Sequence, residues 1–88
     1  MSSGLPSGWV VEEAGGHQQL AKEFRFKDFL GAVDFINRLA PVAEAAGHHP
    51  DLLVGWGRVR VQTWTHDAGG LTDKDYELAR AIEALSGS

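Results

Sequence analysis

The spacing of apolar residues at the start of the chain follows the two-residue repeat of β-strands. Residues 9–13 are rich in strand formers, and residues 19–26 alternate between apolar and mainly polar side chains. The Gly15-Gly16 pair between the two segments can adopt the positive φ angles of a tight turn. This part of the chain therefore predicts a β-hairpin with strands over residues 9–13 and 19–26.

The repeat then changes to three and four residues, which is the spacing of an amphipathic helix. The pattern runs over residues 28–46, with Asp28 placed to cap the first turn and Gly47 placed to end the helix. Pro41 lies inside the pattern, where it removes a backbone donor and crowds the preceding turn. We therefore expect one helix that is kinked or broken at Pro41.

The second half of the chain repeats the order of strand, strand and helix. Residues 52–56 and 58–65 have the alternation of strands, with glycines marking a bend between them. Residues 73–85 have the apolar stripe of a helix, and Thr72 and Asp75 are spaced as in a capping box at its start. The order ββαββα predicts an α+β fold in which both helices pack on one face of a four-stranded antiparallel sheet.

Composition narrows the classes of protein to which the chain can belong. With 88 residues it has room for one domain, which we place over residues 9–88 after a flexible segment of residues 1–8. The formal net charge is −4 and the basic residues are scattered, so direct nucleic acid binding is not expected. The chain has no cysteine, no apolar run of membrane-spanning length and no signal-peptide pattern. We expect a cytoplasmic protein that oligomerises, because so small a domain buries little of its surface.

Three histidines follow the ends of predicted elements, where reactive side chains often lie. His48 and His49 come directly after the first helix, and His66 comes directly after the last strand. Imidazoles titrate near neutral pH, so a group of them can supply both a general acid and a general base. Each ring could instead be a solvated loop residue. A zinc site is a further interpretation, although adjacent histidines rarely point at one ion and no cysteine assists.

The histidines are part of a longer pattern with fixed spacing. Three residues separate Glu44 from His48-His49-Pro50, five more precede Trp56, nine precede His66, and eight precede Asp75. The pattern extends to Gly8-Trp9 and to the segments over residues 24–29 and 65–72. Over residues 9–85 the chain resembles the pterin-4a-carbinolamine dehydratase family.

The resemblance implies a small enzyme that needs neither a metal nor an organic cofactor. The family removes water from 4a-hydroxytetrahydropterin, the 4a-carbinolamine, and yields quinonoid dihydropterin in pterin cofactor recycling. It also implies the strand order 1-2-4-3 and a homodimer or homotetramer. Carried over by position, His48 and His66 transfer protons, while His49 mainly binds and orients the substrate. The residues implied to bind the pterin are Glu44, His48, His49, Pro50, Trp56, His66 and Asp75.

Several of these residues also have structural interpretations. Asp75 is spaced to cap the last helix, although it can also brace the loop that presents His66. Glu44 could orient His48, four residues further on, or be solvated. Trp56 could form a wall of the pterin pocket or pack in the core.

Other positions are interpreted without a role in the reaction. We take Trp9, Trp64 and Tyr76 as structural or interface residues, and His17 as a solvated residue of the first turn. Members of the family often carry Asn or Asp where Gly47 stands, which implies that a side chain orienting the next residue is missing here.

A non-catalytic role is the main alternative function. Proteins of the family also act as binding partners, including a dimerisation coactivator of a homeodomain transcription factor and a Rubisco assembly factor. The presence of all three histidines favours catalysis, because a scaffold has no need of them. A zinc hydrolase is the third class considered.

Overall fold

The computed structural model of the protein describes residues 5–6 and 8–86. In chain order its elements are β1 (Val10–Ala14), β2 (His17–Arg25), α1 (Phe29–Ala46), β3 (Asp51–Gly55), β4 (Arg58–Thr63) and α2 (Asp73–Ser86). A short 3₁₀ turn at His66–Ala68 lies between β4 and α2. The predicted ββαββα order is confirmed, whereas the expected flexible segment over residues 1–8 falls mostly outside the described residues.

The four strands form one antiparallel sheet in the order β1-β2-β4-β3. The central strands are β2 and β4, in which Leu20 lies opposite Thr63 and Phe24 lies opposite Val59. The sheet and the strand order implied by the resemblance are confirmed, with strand ends shifted by one or two residues.

Both helices pack on the same face of the sheet. The inward side chains of the two central strands meet the apolar stripe of each helix, and the removal of these side chains from water is the main force that holds the layers together. The Trp9 indole joins this core, and its Nε1 donates to Glu83 at 3.0 Å. Besides Trp9, the buried core contains Leu20, Phe24, Ala32, Phe35, Leu39, Ala43, Val59, Val61, Leu78, Ala79 and Ile82.

The opposite face of the sheet is covered by neither helix and is mainly polar. We call it the open face and define it by the outward residues of the central strands, His17, Gln19, Ala21, Glu23 and Arg25 on β2 and Arg58, Arg60 and Gln62 on β4. At its centre Glu12 accepts hydrogen bonds from Arg60 and Gln19. These two donors hold the pKa of Glu12 below its usual range.

The limits of α1 follow from its end residues. Asp28 accepts a hydrogen bond from the Gly31 amide at 2.7 Å, and Gly47 ends the helix with a φ of 65°, so both predicted caps are confirmed. Of the kink or break predicted at Pro41, the break is wrong, because α1 runs through this residue. Pro41 lies on the exposed side of the helix. The buried side chains of the neighbouring turns therefore keep their contacts with the sheet. In the described part of the chain, neither helix is long and apolar enough to cross a membrane.

Gly57, in the turn between β3 and β4, offers a test of this fold. Its φ is 69°, and a Cβ there would lie 3.0 Å from the carbonyl oxygen of Phe26. A residue with a side chain pays ~1–2 kcal/mol in the left-handed region, so Gly57→Ala should lower the free energy of unfolding by about 2 kcal/mol in urea denaturation. Gly70→Ala is the matched control, because Gly70 has no positive φ and no atom lies within 4 Å of an added Cβ. Equal losses in the two variants would contradict the turn described here.

Candidate active site

A cavity of about 440 Å³ opens at one end of the sheet, where β3 begins and β4 ends. Two chain segments line it, the connection between α1 and β3 and the connection between β4 and α2. Histidine rings from both connections meet there although they are far apart in the sequence. The lining residues include His48, His49, Pro50, Trp64, His66 and Lys74.

The end of α1 fixes the backbone of the adjacent histidines. The Gly47 amide donates to the carbonyl oxygen of Glu44 at 3.1 Å, and the His48 amide donates to that of Ala43 at 3.2 Å. This closing turn needs a left-handed residue, a conformation that glycine and asparagine adopt most readily. Because β3 begins at Asp51, the histidine pair occupies the short connection that faces the cavity.

His48 is held by a buried carboxylate. Its Nε2 lies 2.6 Å from Oδ1 of Asp75, and its side chain is only 12% exposed. Asp75, in the first turn of α2, is fully buried. Asp75 thus orients the His48 ring from another element, while the loss of an orienting side chain at Gly47 stays a prediction.

Asp75 accepts four hydrogen bonds from the residues that the structure describes. Thr63 and Thr65 each donate through Oγ1 at 2.7 Å, and the Thr72 amide donates at 3.0 Å. Burial raises the pKa of Asp75, but the bonds from His48 and the three threonines outweigh burial and hold the pKa below its usual range. The bond from Thr72 confirms the predicted helix cap, which is one of several contacts that this carboxylate makes.

The contact with Asp75 decides which nitrogen of His48 is left without a carboxylate partner. An ionised carboxylate only accepts hydrogen bonds, so Nε2 of His48 carries a proton in this pair. In the neutral ring Nδ1 then keeps its lone pair and is the nitrogen left to act as a base. A proton taken up at Nδ1 would give an imidazolium whose charge is stabilised by Asp75.

His49 has an exposed carboxylate as its partner. Its Nε2 lies 2.8 Å from Oε1 of Glu44, and both side chains are mostly exposed. The sequence-based alternatives for Glu44 were contact with His48 or solvation. The structure gives a different partner, because α1 ends at Ala46 and the chain turns before the helical spacing reaches His48.

His66 lies on a tight loop between β4 and α2. The base of the loop is closed by paired backbone bonds between Thr65 and Gly70, at 2.8 and 3.3 Å. The Thr65 hydroxyl also donates to Asp75, as described above. The carboxylate that orients His48 therefore also fixes the backbone next to His66, in agreement with the bracing role considered for it.

The His66 ring stacks on Trp64, a contact that the sequence interpretation missed. The ring centroids are 4.0 Å apart and the planes differ by 16°. The other face of Trp64 is covered by His17, at 3.5 Å and 18°. The interpretation of His17 as solvated is thus wrong. The two-residue spacing of Trp64 and His66 was the available signal, because side chains two residues apart point to the same side of an extended chain.

Trp56 lies outside this cavity. It follows β3, which runs from Asp51 at the cavity to Gly55, and so it stands at the other end of the sheet. Its side chain is 72% exposed, so it neither walls this cavity nor fills the core. Within a single chain, Trp56 therefore does not form a wall of the pocket, because the length of β3 separates it from His48. It does not pack in the core either, because it is exposed.

No metal-binding arrangement occurs among residues 5–6 and 8–86, where no group of three or more candidate ligand side chains is placed to hold an ion. The Nε2 atoms of His48 and His49 are both engaged by carboxylates instead. The geometry therefore gives no support to a zinc site.

Comparison with known proteins finds relatives over most of the chain. The family model for pterin 4 alpha carbinolamine dehydratase matches residues 1–85. A Saccharolobus solfataricus protein with the provisional name pterin-4-alpha-carbinolamine dehydratase is 51% identical over 79 residues, 90% of this chain and 79% of the relative. A Thermosynechococcus vestitus protein with the same provisional name is 54% identical over 68 residues, 77% of this chain and 72% of the relative.

Two solved structures have the same architecture. A transcriptional coactivator/pterin dehydratase from Brucella melitensis superposes with a TM-score of 0.79 at 34% identity, covering 90% of this chain and 82% of that one. A pterin dehydratase-like protein identified as a RuBisCO assembly factor in the alpha-carboxysome gives a TM-score of 0.76 at 23% identity, covering 92% of each chain. The second likeness is one of fold alone.

Replacement of the buried carboxylate by its amide tests the hydrogen-bond centre at Asp75. In Asp75→Asn one acceptor oxygen becomes an NH₂ group that faces donors, and the charged partner of His48 is lost. We expect the free energy of unfolding at pH 7 to fall by about 2–4 kcal/mol in urea denaturation. Asp73→Asn is the matched control, because Asp73 is exposed and lies two residues away in the same turn of α2; it should change the free energy of unfolding by less than about 0.5 kcal/mol.

The same pair of proteins predicts a pH dependence. The pKa of Asp75 is lower in the folded protein than its unfolded value of ~3.9, so its contribution to stability is present above that value and is lost as the pH falls through the folded-state pKa. The difference in unfolding free energy between wild type and Asp75→Asn should therefore shrink from pH 7 to pH 3. A constant difference would contradict a lowered pKa at this carboxyl.

Proposed function

The chain belongs to the pterin 4 alpha carbinolamine dehydratase family, and we propose that it dehydrates 4a-hydroxytetrahydropterin to quinonoid dihydropterin and water. The observation that carries this proposal is the meeting of three imidazoles around one cavity, one of them backed by a buried carboxylate. The reaction needs a proton delivered to the 4a-hydroxyl as its C–O bond breaks, and a proton removed from a ring N–H. Two imidazoles in opposite protonation states meet both needs.

His48 is the base in this proposal. The bond from Nε2 to Asp75 leaves Nδ1 with the lone pair that accepts the proton of the ring N–H. The positive charge that develops on the ring is stabilised by the buried carboxylate. The electron pair of the broken N–H bond then enters the new double bond of the quinonoid product as the hydroxyl leaves.

His66 is the acid. It lines the same cavity as the histidine pair, from a loop whose base is fixed by Thr65 and Gly70. As an imidazolium it donates its proton to the departing hydroxyl, which leaves as water. His48 has gained one proton and His66 has lost one, so the two transfers balance. Proton exchange with solvent then restores both rings.

His49 binds and orients the pterin. The His49 side chain lines the cavity, and Glu44, which is not among the lining residues, holds its Nε2. Pro50 completes this wall as a rigid apolar surface. An exposed contact of this kind contributes little to stability, so its role in this proposal is to set the direction of the imidazole.

Single alanine variants of the three histidines test these roles. Dehydration of freshly generated 4a-hydroxytetrahydropterin should be measured by stopped-flow spectroscopy. His48→Ala and His66→Ala should each lower kcat by ~10²-fold or more, because each removes a proton-transfer group. His49→Ala should raise KM more than it lowers kcat. Thermal unfolding of each variant establishes that the fold is kept.

The alternative function is a protein-binding module on the same fold, a role named for the Brucella melitensis structure beside its dehydratase name. The same measurement separates the two. If His48→Ala and His66→Ala dehydrate the carbinolamine as fast as wild type, the catalytic proposal fails and the binding role takes its place.

We also propose that the protein self-associates. The edge strand β3 has no neighbouring strand on one side among the described residues, and it exposes Leu53 and Val54, which are 53% and 44% exposed. Light scattering at micromolar concentration should give the mass of a dimer or a tetramer, and Leu53→Lys should lower it. A monomer mass for the wild-type protein would contradict self-association.

A further inference from the structure

The His66 side chain lacks the kind of partner that holds the other two rings. His48 is bound by Asp75 and His49 by Glu44, whereas no residue that the structure describes forms a hydrogen bond with the His66 ring. His66 is also exposed. An exposed side chain without a partner samples several rotamers, and only some of them direct a ring nitrogen at the cavity.

Trp64 constrains the His66 ring by stacking. With centroids 4.0 Å apart and an angle of 16° between the planes, one whole face of the imidazole lies against the indole. A rotation that takes the imidazole out of this plane breaks the contact. Both ring nitrogens therefore stay in a plane that is set by Trp64.

His17 holds Trp64 from the other side. The register of β2 and β4 pairs Leu20 with Thr63, and its continuation brings position 17 across from position 66. The His17 ring thus covers the face of Trp64 that the His66 ring leaves free, at 3.5 Å and 18°. The indole is clamped between two imidazoles on the open face.

The edge of the His17 ring supports this interpretation. Its Nε2 is buried and has no hydrogen-bond partner among the described residues. A buried nitrogen without a partner is unfavourable, so hydrogen bonding does not explain the position of this ring. The contact that its face makes with Trp64 does.

We propose that Trp64 and His17 are positioning residues, which through a three-ring stack hold the His66 imidazole in the plane from which it transfers its proton. The inference rests on the proposed dehydratase function. Its catalytic consequence follows from geometry, because an error of ~1 Å in the position of a reacting group can cost ~10²-fold in rate. His17 is not among the residues that line the cavity, and Trp64, which lines it, acts in this proposal through the His66 ring.

Kinetics of four variants test the stack. Trp64→Leu should lower kcat by about 2- to 12-fold, the range expected for the loss of one aromatic pair, with KM nearly unchanged. Trp64→Phe, which keeps a flat ring, should recover most of this loss. His17→Ala should also lower kcat, as Trp64→Leu does. His17→Phe should keep the wild-type kcat and raise Tm, because it retains the stacking face and removes the buried nitrogen that lacks a partner.

Val10→Ala is the matched control for a general loosening of the sheet. Val10 pairs with Ala21 on the open face, is 52% exposed and lies outside the stack. Its kcat should equal that of wild type. In the double variant Trp64→Leu with His17→Ala, kcat should fall no further than in Trp64→Leu alone, because His17 acts only through Trp64.

Proton NMR of the His66 ring gives a readout that does not depend on activity. Stacking on an indole moves the ring protons of an imidazole upfield, and the spectrum of His66→Ala identifies the resonances. The upfield position should be present in wild type and Trp64→Phe and lost in Trp64→Leu. Equal positions in wild type and Trp64→Leu would overturn the stack whatever the activity.

The outcomes separate this inference from the proposed function. If wild type dehydrates the carbinolamine and Trp64→Leu has the same kcat, the positioning role is overturned while the dehydratase stands. If wild type has no dehydratase activity, the proposed function and the catalytic role of the stack both fail. The NMR positions then report only whether Trp64 orders the His66 ring.

Discussion

The buried carboxylate of Asp75 is the interaction on which the site depends. A charge removed from water is costly unless hydrogen bonds replace its hydration, and Asp75 has four donors for its two oxygens. These donors come from the end of β4, from the following loop, from the start of α2 and from the connection after α1. All of these segments must be in place for the charge to be satisfied, so the packing that buries Asp75 also brings together the segments that line the cavity.

The three imidazoles of the cavity are supported in three different ways. His48 has a buried anion, His49 has an exposed anion, and His66 has an aromatic surface. The differences follow from burial, because a carboxylate in the interior gives a strong and directional bond whereas one at the surface is screened by water. The proposed roles follow the same order, with proton abstraction at the most buried ring and substrate binding at the rim.

The two faces of the sheet meet at this cavity. On the helix side the inward row of β4 is apolar until Thr63, where it becomes polar and reaches Asp75. On the open face the row leads to Trp64 and then to His66. At the end of β4, Thr63 therefore places a hydrogen-bond donor on the helix side of the sheet, and Trp64 places an aromatic surface on the open face. One strand thus contacts the supports of both proposed proton-transfer groups, His48 through Asp75 and His66 through the stack on Trp64.

The sequence by itself determined the elements and their arrangement. The change between two-residue and helical repeats fixed four strands and two helices to within one or two residues, because periodicity reports which face of each element is buried. The family pattern further selected the histidines that meet. The sequence could not determine which side chain contacts which imidazole ring. Helical spacing predicted a contact between Glu44 and His48. The chain turns at Gly47, however, so Glu44 contacts His49 instead.

Only the tertiary structure decided which residues contact His48 and His66. It also decided that Trp56 lies away from the cavity. Asp75 reaches His48 because α2 packs beside the end of α1, and no local spacing encodes a contact across 27 residues. His17 and His66 approach the same indole because the register of two central strands brings their ends together. Local periodicity predicts the face on which a side chain lies, whereas its contacts depend on where the other elements end, and this is set by the packing of the whole chain.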